Sequence, residues 1–214
     1  MANETPQIPA AAPRKRFGFL AGLGILIFLV IILVLWGTGI YNKLNTLDQS
    51  VRSQWAQVEN AYQRRADLVP NLVETVKGAA NFEKDTYTAV TEARAKVGQI
   101  NVGADVVNNP GAMAKFEEAQ GQLGSAISRL LVAVEAYPDL KATQNFRDLQ
   151  VQLEGTENRI TQERRVFNET SQAFNTKRMS FPTVLLAGFF GQRFAEKTYF
   201  KAEAGAETAP HVKF

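Results

Sequence analysis

The chain contains no cysteine. Disulfides, thiolate nucleophiles, thiolate zinc sites and S-acylation are excluded with it, so the fold must be held by its core alone. Histidine is nearly as scarce. The single one, His211, stands close to the C-terminus, which leaves no Ser-His-Asp arrangement and no paired-histidine metal site. The Glu-x-x-His pairs that two-metal helical bundles require do not occur, nor does a G-x-S-x-G, a P-loop or a dinucleotide fingerprint. Gly22-x-Gly24 lies inside an apolar run and reads as structural. Hydrolysis by carboxylates alone is compatible with the residue types, but nothing in the pattern brings two acids to a cleft. The sequence therefore points away from an enzyme and asks for no cofactor and no metal.

Charge is missing altogether from residues 17–42, a stretch entered through Arg14-Lys15-Arg16. At about 1.5 Å per helical residue it reaches roughly 39 Å, more than the ~30 Å hydrocarbon core of a bilayer. A transmembrane helix over 17–40 follows. The apolar core is longer than the ~7–15 residues of a signal peptide, although cleavage near Gly37-Thr38-Gly39 is the rival reading. Three adjacent basic residues precede the span, while Lys43 and Arg52 behind it are diluted by Asp48 and Glu59. That bias predicts a cytoplasmic N-terminus and a domain outside the cytoplasm. Formal charge is +3, of which Arg14, Lys15 and Arg16 against Glu4 supply two. The remainder is almost neutral, so no basic surface argues for nucleic acid.

The organisation predicted is a disordered basic tail over 1–16, the span, a helical bundle over 41–202 and a flexible tail over 203–214. The fold class expected is all-α, an antiparallel up-and-down bundle of a long kinked first helix, two further long helices and a short C-terminal helical segment. Val51, Trp55, Val58, Tyr62, Val69, Leu72, Val76 and Ala79 recur at spacings of three and four, apart from a gap at Arg65. This predicts one amphipathic helix running to about Val97, stopped by Gly98 and kinked near 66–70 by Pro70, which cannot bond to the carbonyl of Ala66. Asn109-Pro110 predicts a capped start for the second helix, with Pro138 ending it and Asp139 capping the next. Gly121, Gly124 and Ala126 keep part of the second helix thin. In the third helix Phe146, Leu153, Ile160, Phe167 and Phe174 form a heptad seam, with Leu149, Thr156, Glu163 and Thr170 between them. The apolar segment from Val184 to Phe194 is too short to span a membrane. It is expected to fold back and cap the bundle, with interfacial membrane contact as the alternative.

The most distinctive polar cluster is Arg64-Arg65-Ala66-Asp67-Leu68-Val69-Pro70-Asn71-Leu72. Arg65 falls on the apolar stripe, where an unpaired guanidinium would be costly, so it should meet an acid. Glu163 and Glu157 are the two candidates. A buried ion pair that fixes register at the proline is the structural reading, and a groove at that point is the functional one.

Tyr41-Asn42, the run from Arg64 to Val73, Tyr137-Pro138-Asp139-Leu140-Lys141, Thr156-Glu157-Asn158-Arg159-Ile160 and Val212-Lys213-Phe214 resemble the LemA family, in order along nearly the whole chain from Tyr41. The resemblance implies a bacterial membrane-anchored helical bundle with no established biochemical activity. Phe167-Asn168 departs from the Tyr-Asn typical of such chains. Some similar chains carry a lipoprotein-type cysteine at Gly37-Thr38-Gly39, which implies an exoplasmic domain, and others have been described in the opposite orientation. The expected function is a membrane-tethered interaction or scaffold protein of the cell envelope, with the bilayer and envelope proteins, such as a membrane protease, as partners. Its alternatives are a self-associating structural protein, for which Gly18-Phe19-Leu20-Ala21-Gly22 offers a small-xxx-small contact, and a hydrolase using acids alone. Val212 and Phe214, two apart before a free carboxylate, have the form a PDZ-like reader takes by strand addition.

Overall fold

A computed structural model describes residues 15–79, 82–100 and 103–201. Among them are six α-helices: α1 Lys15–Lys77, α2 Lys84–Gln99, α3 Pro110–Val134, α4 Pro138–Lys141, α5 Gln144–Met179 and α6 Thr183–Phe189. Short 3-10 turns cover Ala104–Asn108 and Gly191–Phe194, and no strand occurs among the described residues. The chain divides into two compact units, Met1–Lys43 and Leu44–Phe214.

In the first unit, α1 from Leu20 is long and apolar enough to cross a membrane, and none of its most apolar stretch is buried. Leu, Ile, Val and Phe face outward all round the helix. Such a surface suits lipid and not water.

In the second unit the remainder of α1 is a core helix. Val51, Trp55, Val58, Val69, Leu72 and Val76 are buried at the predicted spacing. Its end is not where the periodicity places it. α1 stops at Lys77, and a separate α2 occupies most of the stretch expected to continue it. Gly78 opens the reversal, its N–H reaching the Glu74 carbonyl at 3.3 Å while that of Ala79 reaches Val76 at 3.1 Å. Half-buried Ala79 and buried Phe82 prolong the three-four cadence through the turn, which hides the break from a reading of apolar spacing. Asp85 then lies in the first turn of α2, where it complements the helix dipole. Val90 and Ala93 are its buried face, and α2 packs on α3 and joins the core residues of α1.

α3 begins as predicted. The Asn109 side chain accepts from the N–H groups of Gly111 and Ala112 at 3.0 and 3.1 Å, with Pro110 at the first helical position. The cap of the third long helix differs from expectation: Asp139 sits in the first turn of the brief α4, and Thr143 accepts from Phe146 N–H to open α5. Along α5 the seam holds through Phe146, Leu149, Leu153, Thr156, Ile160, Glu163, Phe167 and Phe174, with Ser171 buried in place of Thr170 and Asn175 added at the end. Thr170 leaves it, turning its hydroxyl back to the carbonyls of Val166 and Phe167.

The core joins these helices through aromatic contacts. Trp55 meets Phe116 of α3 and Phe167 of α5 edge-on at 5.3 and 5.5 Å between ring centroids, and stacks on Phe200 at 5.9 Å. Towards the other end, Leu72, Val76, Leu123 and Leu130 are fully buried, each contributing roughly 1.5–3 kcal/mol. After α6, Gly191 takes a φ of 50° in the left-handed region just past the helix end, where glycine is favoured. The extended segment 195–201 then lies against the bundle. Asn175 bonds both ways with the backbone of Lys197, and Asn168 does the same with Phe200, so two asparagines seven apart on α5 act as strand partners. Thr198 N–H completes the fit by donating to the Val107 carbonyl at 2.9 Å.

Candidate functional site

α3 and α5 flank a groove of about 1060 Å³ whose floor is α1 at Tyr62 and Arg65. Periodicity puts Arg65 on the buried side of α1, and the groove is where its guanidinium finds partners. One Nη donates to Glu157 Oε1 at 3.0 Å. The other donates to the Gln120 carbonyl at 2.9 Å and to its side-chain oxygen at 2.5 Å. The guanidinium also lies 5.0 Å from the centroid of the Tyr62 ring. Burial pushes the Tyr62 phenol up, with the charges of Arg164 and Arg65 pulling the other way.

Of the two acids proposed for Arg65, Glu157 is the one it meets. Glu163 is occupied elsewhere, by Arg159 at 2.6 Å and by the Gln54 amide. The pair is one-sided: the Arg65 side chain is 5% exposed and that of Glu157 is 50% exposed. A doubly buried ion pair is therefore not what holds this register. The neutral acceptors of Gln120 are the buried half of the arrangement.

Small residues shape the α3 wall. Gly121, Gly124, Ser125 and Ser128 line the groove at i, i+3, i+4 and i+7, one face of the helix. A Cβ on Gly124 would stand 3.5 Å from Arg65 Nη1, an ordinary contact, so packing alone does not demand glycine there. Its effect is to leave the wall thin beside the guanidinium. Glu117, Glu157, Arg129 and Arg164 give the rims both signs of charge.

The other residues singled out by sequence fall in several places. Asn158 lines the same groove, and Arg159 is exposed beside it on α5. Arg64, Asp67, Pro70 and Asn71 are exposed on α1, Asp67 accepting from the Gln63 amide at 2.8 Å. The carbonyl that Pro70 leaves unpaired, that of Ala66, accepts from Arg94 Nε of α2 at 2.9 Å. Tyr137, Pro138 and Asp139 line a separate cavity of about 560 Å³ with Thr75 and Gly78, where the Tyr137 ring meets Phe82 at 5.0 Å. His211, Val212 and Phe214 lie outside the described residues. Among the described residues no group of three or more His, Cys, Asp and Glu side chains is placed to hold a metal ion.

A second polar centre escapes the sequence reading. Asp48 and Lys197 are buried and paired, and Lys197 Nζ also donates to Asn108 at 2.8 Å while lying 4.6 Å from the Phe174 ring centroid. Arg52 Nε donates to the second Asp48 oxygen at 2.9 Å. Burial pushes the Asp48 carboxyl up, but the hydrogen bonds and charges of Lys197 and Arg52 outweigh it and hold the group below its usual range. Burial lowers Lys197 against the pull of Asp48. A signal existed on one side: Leu44, Asp48, Val51, Trp55 and Val58 alternate fours and threes, which puts Asp48 on the buried stripe as surely as Arg65.

An all-α bundle together with one N-terminal helix long and apolar enough to cross a membrane defines a helical class of protein with a single candidate span. The chain belongs to the LemA family, whose sequence profile matches residues 54–214. It is 23% identical to the magnetosome proteins MamQ 1 of Paramagnetospirillum magneticum and MamQ of Magnetospirillum gryphiswaldense, over 97% of this chain and 80% of each relative. It is 25% identical to protein LemA of Metamycoplasma hominis, over 79% of this chain and 70% of that one. None of these names is that of an enzyme.

Proposed function

We propose that this protein is a membrane-tethered, non-enzymatic interaction protein of the bacterial cell envelope, whose groove between α3 and α5 receives a helical segment of a protein partner. The observation that carries this reading is the face of Gly121, Gly124, Ser125 and Ser128 along an open groove. A helix laid there meets a wall without bulky side chains, rims of both charge signs, and a buried cation as floor. The relatives named as magnetosome proteins carry no enzyme name, which is consistent with a non-enzymatic role. Anchoring is through α1 in the inner membrane, with the N-terminus cytoplasmic and the bundle exoplasmic, a placement supported by Arg14, Lys15 and Arg16 before the span.

Alkaline phosphatase fused after Phe214 is expected to be active, and an inactive fusion together with an active cytoplasmic reporter at that site would reverse the topology. Crosslinking in native membranes followed by pull-down is expected to recover a second protein species. Recovery of this chain alone would favour a self-associating structural role instead.

A further inference from the structure

The 14 residues 179–192 carry no charged side chain, and they are bracketed by Lys177 and Arg178 before and Arg193 after. α6 lies at their centre. It packs on α5 through Thr183 and Ala187, which are buried and four apart, with Leu186 half-buried beside them, so the side carrying Val184, Leu185 and Phe189 points away from the bundle. That outward side is apolar, with Leu185 66% exposed, Phe189 84% and Val184 beside them, and the apolar surface continues into Phe181, 82% exposed just before the helix, and Met179 at the end of α5. Of the nine large apolar side chains exposed outside α1 among the described residues, six fall within 179–190. A helix facing water carries polar residues on its outer side, and this one carries none.

Its position names the occupant. Phe189, Phe190 and Phe194 form a file of ring contacts at 5.5 and 5.9 Å, and Arg193, next to Phe194, donates to the Asn45 side chain at 2.8 Å. Asn45 follows Ile40, the end of the predicted span, by five residues. Five residues reach at most about 18 Å even fully extended. The apolar face is therefore tethered close to wherever the chain leaves the bilayer, whichever side that is. Arg193 is half-exposed and lies 5.6 Å from the Phe194 ring centroid, placing a cation beside the aromatic face as at a lipid headgroup boundary.

We propose that α6 is a second membrane contact, which seats Phe181, Leu185 and Phe189 in the interface of the leaflet from which α1 emerges. The contact rests on the reading of α1 as a span. It restrains the bundle at two points on the bilayer, so that a partner segment meets the groove in a limited set of orientations.

The absence of cysteine makes single-site labelling clean. The full-length protein is reconstituted in nanodiscs of three parts phosphatidylcholine to one part phosphatidylglycerol, one copy per disc. An environment-sensitive fluorophore is carried on Leu33→Cys, Leu185→Cys, Phe189→Cys, Val132→Cys or Val151→Cys, and lipids spin-labelled near the headgroup serve as quenchers. Quenching at positions 185 and 189 several-fold above that at 132 and 151 is the expected result. In Phe181→Glu/Leu185→Glu, the probe at 189 is expected to fall to the level of 132. If Leu33→Cys shows insertion while 185 and 189 are quenched no more than 132 and 151, the span stands and the α6 contact is overturned. Quenching absent from single-copy discs, with disulfide formation between two copies of Leu185→Cys in vesicles, would assign the face to a second copy and equally overturn the contact.

Discussion

At the scale of the residue, the two buried cations behave differently because their acids do. Lys197 and Asp48 are both sealed from water, so Asp48→Asn leaves an uncompensated buried charge and is expected to cost about 3–5 kcal/mol in denaturant melts. Asp48→Leu with Lys197→Met is expected to recover most of that loss, since an apolar pair of similar volume avoids both desolvation penalties. The pH dependence has a definite sign. Because the folded carboxyl of Asp48 is held below its ordinary value, its contribution is complete above about pH 4 and is lost as pH falls through the lower folded value. The acid limb of the wild-type stability curve should therefore flatten in Asp48→Asn. Arg65 is a milder case. Its acid is half in water, so Glu157→Gln is expected to cost under ~1 kcal/mol, while Arg65→Ala strands the buried side-chain oxygen of Gln120 and costs about 1–3 kcal/mol. Equal losses from the two variants would mean that the ion pair and not Gln120 holds the site.

At the scale of the element, α1 and α2 show what apolar spacing conveys and what it hides. The charge-free run, the Asn109-Pro110 cap and the α5 seam through Phe167 are all legible, because each is a local pattern set by hydrogen-bond geometry or burial. The reversal after Lys77 is not, because Ala79 and Phe82 stay on the same cadence while serving two helices. The Arg94 contact to Ala66 belongs to that hidden turn. With α2 folded back, its guanidinium reaches the carbonyl that Pro70 cannot serve, 28 positions away in sequence. Arg94→Ala is expected to destabilise the bundle by about 1–3 kcal/mol through that unpaired acceptor. In a Pro70→Ala background, where the restored N–H can bond to Ala66, the same substitution should cost less. Additive losses in that double-mutant cycle would show that Arg94 stabilises by packing and not by this bond.

At the scale of the molecule, the groove could be anticipated only in part. Arg65, Glu157 and Asn158 could be picked out as polar residues near an apolar stripe, but their convergence depends on how α3 and α5 flank α1, which no local pattern states. The Lys197 centre was further from reach, since Lys197 pairs across 149 positions from an extended segment that has no helical period. The proposed function is that of an anchored bundle that presents a thin-walled groove to a partner. The most direct measurement of that claim is photo-crosslinking in living cells from a reactive residue at Ser125 inside the groove, with Val151 as an exposed site outside it and Gly121→Leu/Gly124→Leu as a filled groove. A discrete adduct with another protein from position 125, absent from 151 and lost when the groove is filled, is the result expected. Adducts of equal yield from both positions, or an adduct at 125 that survives filling, would contradict the groove as the partner surface.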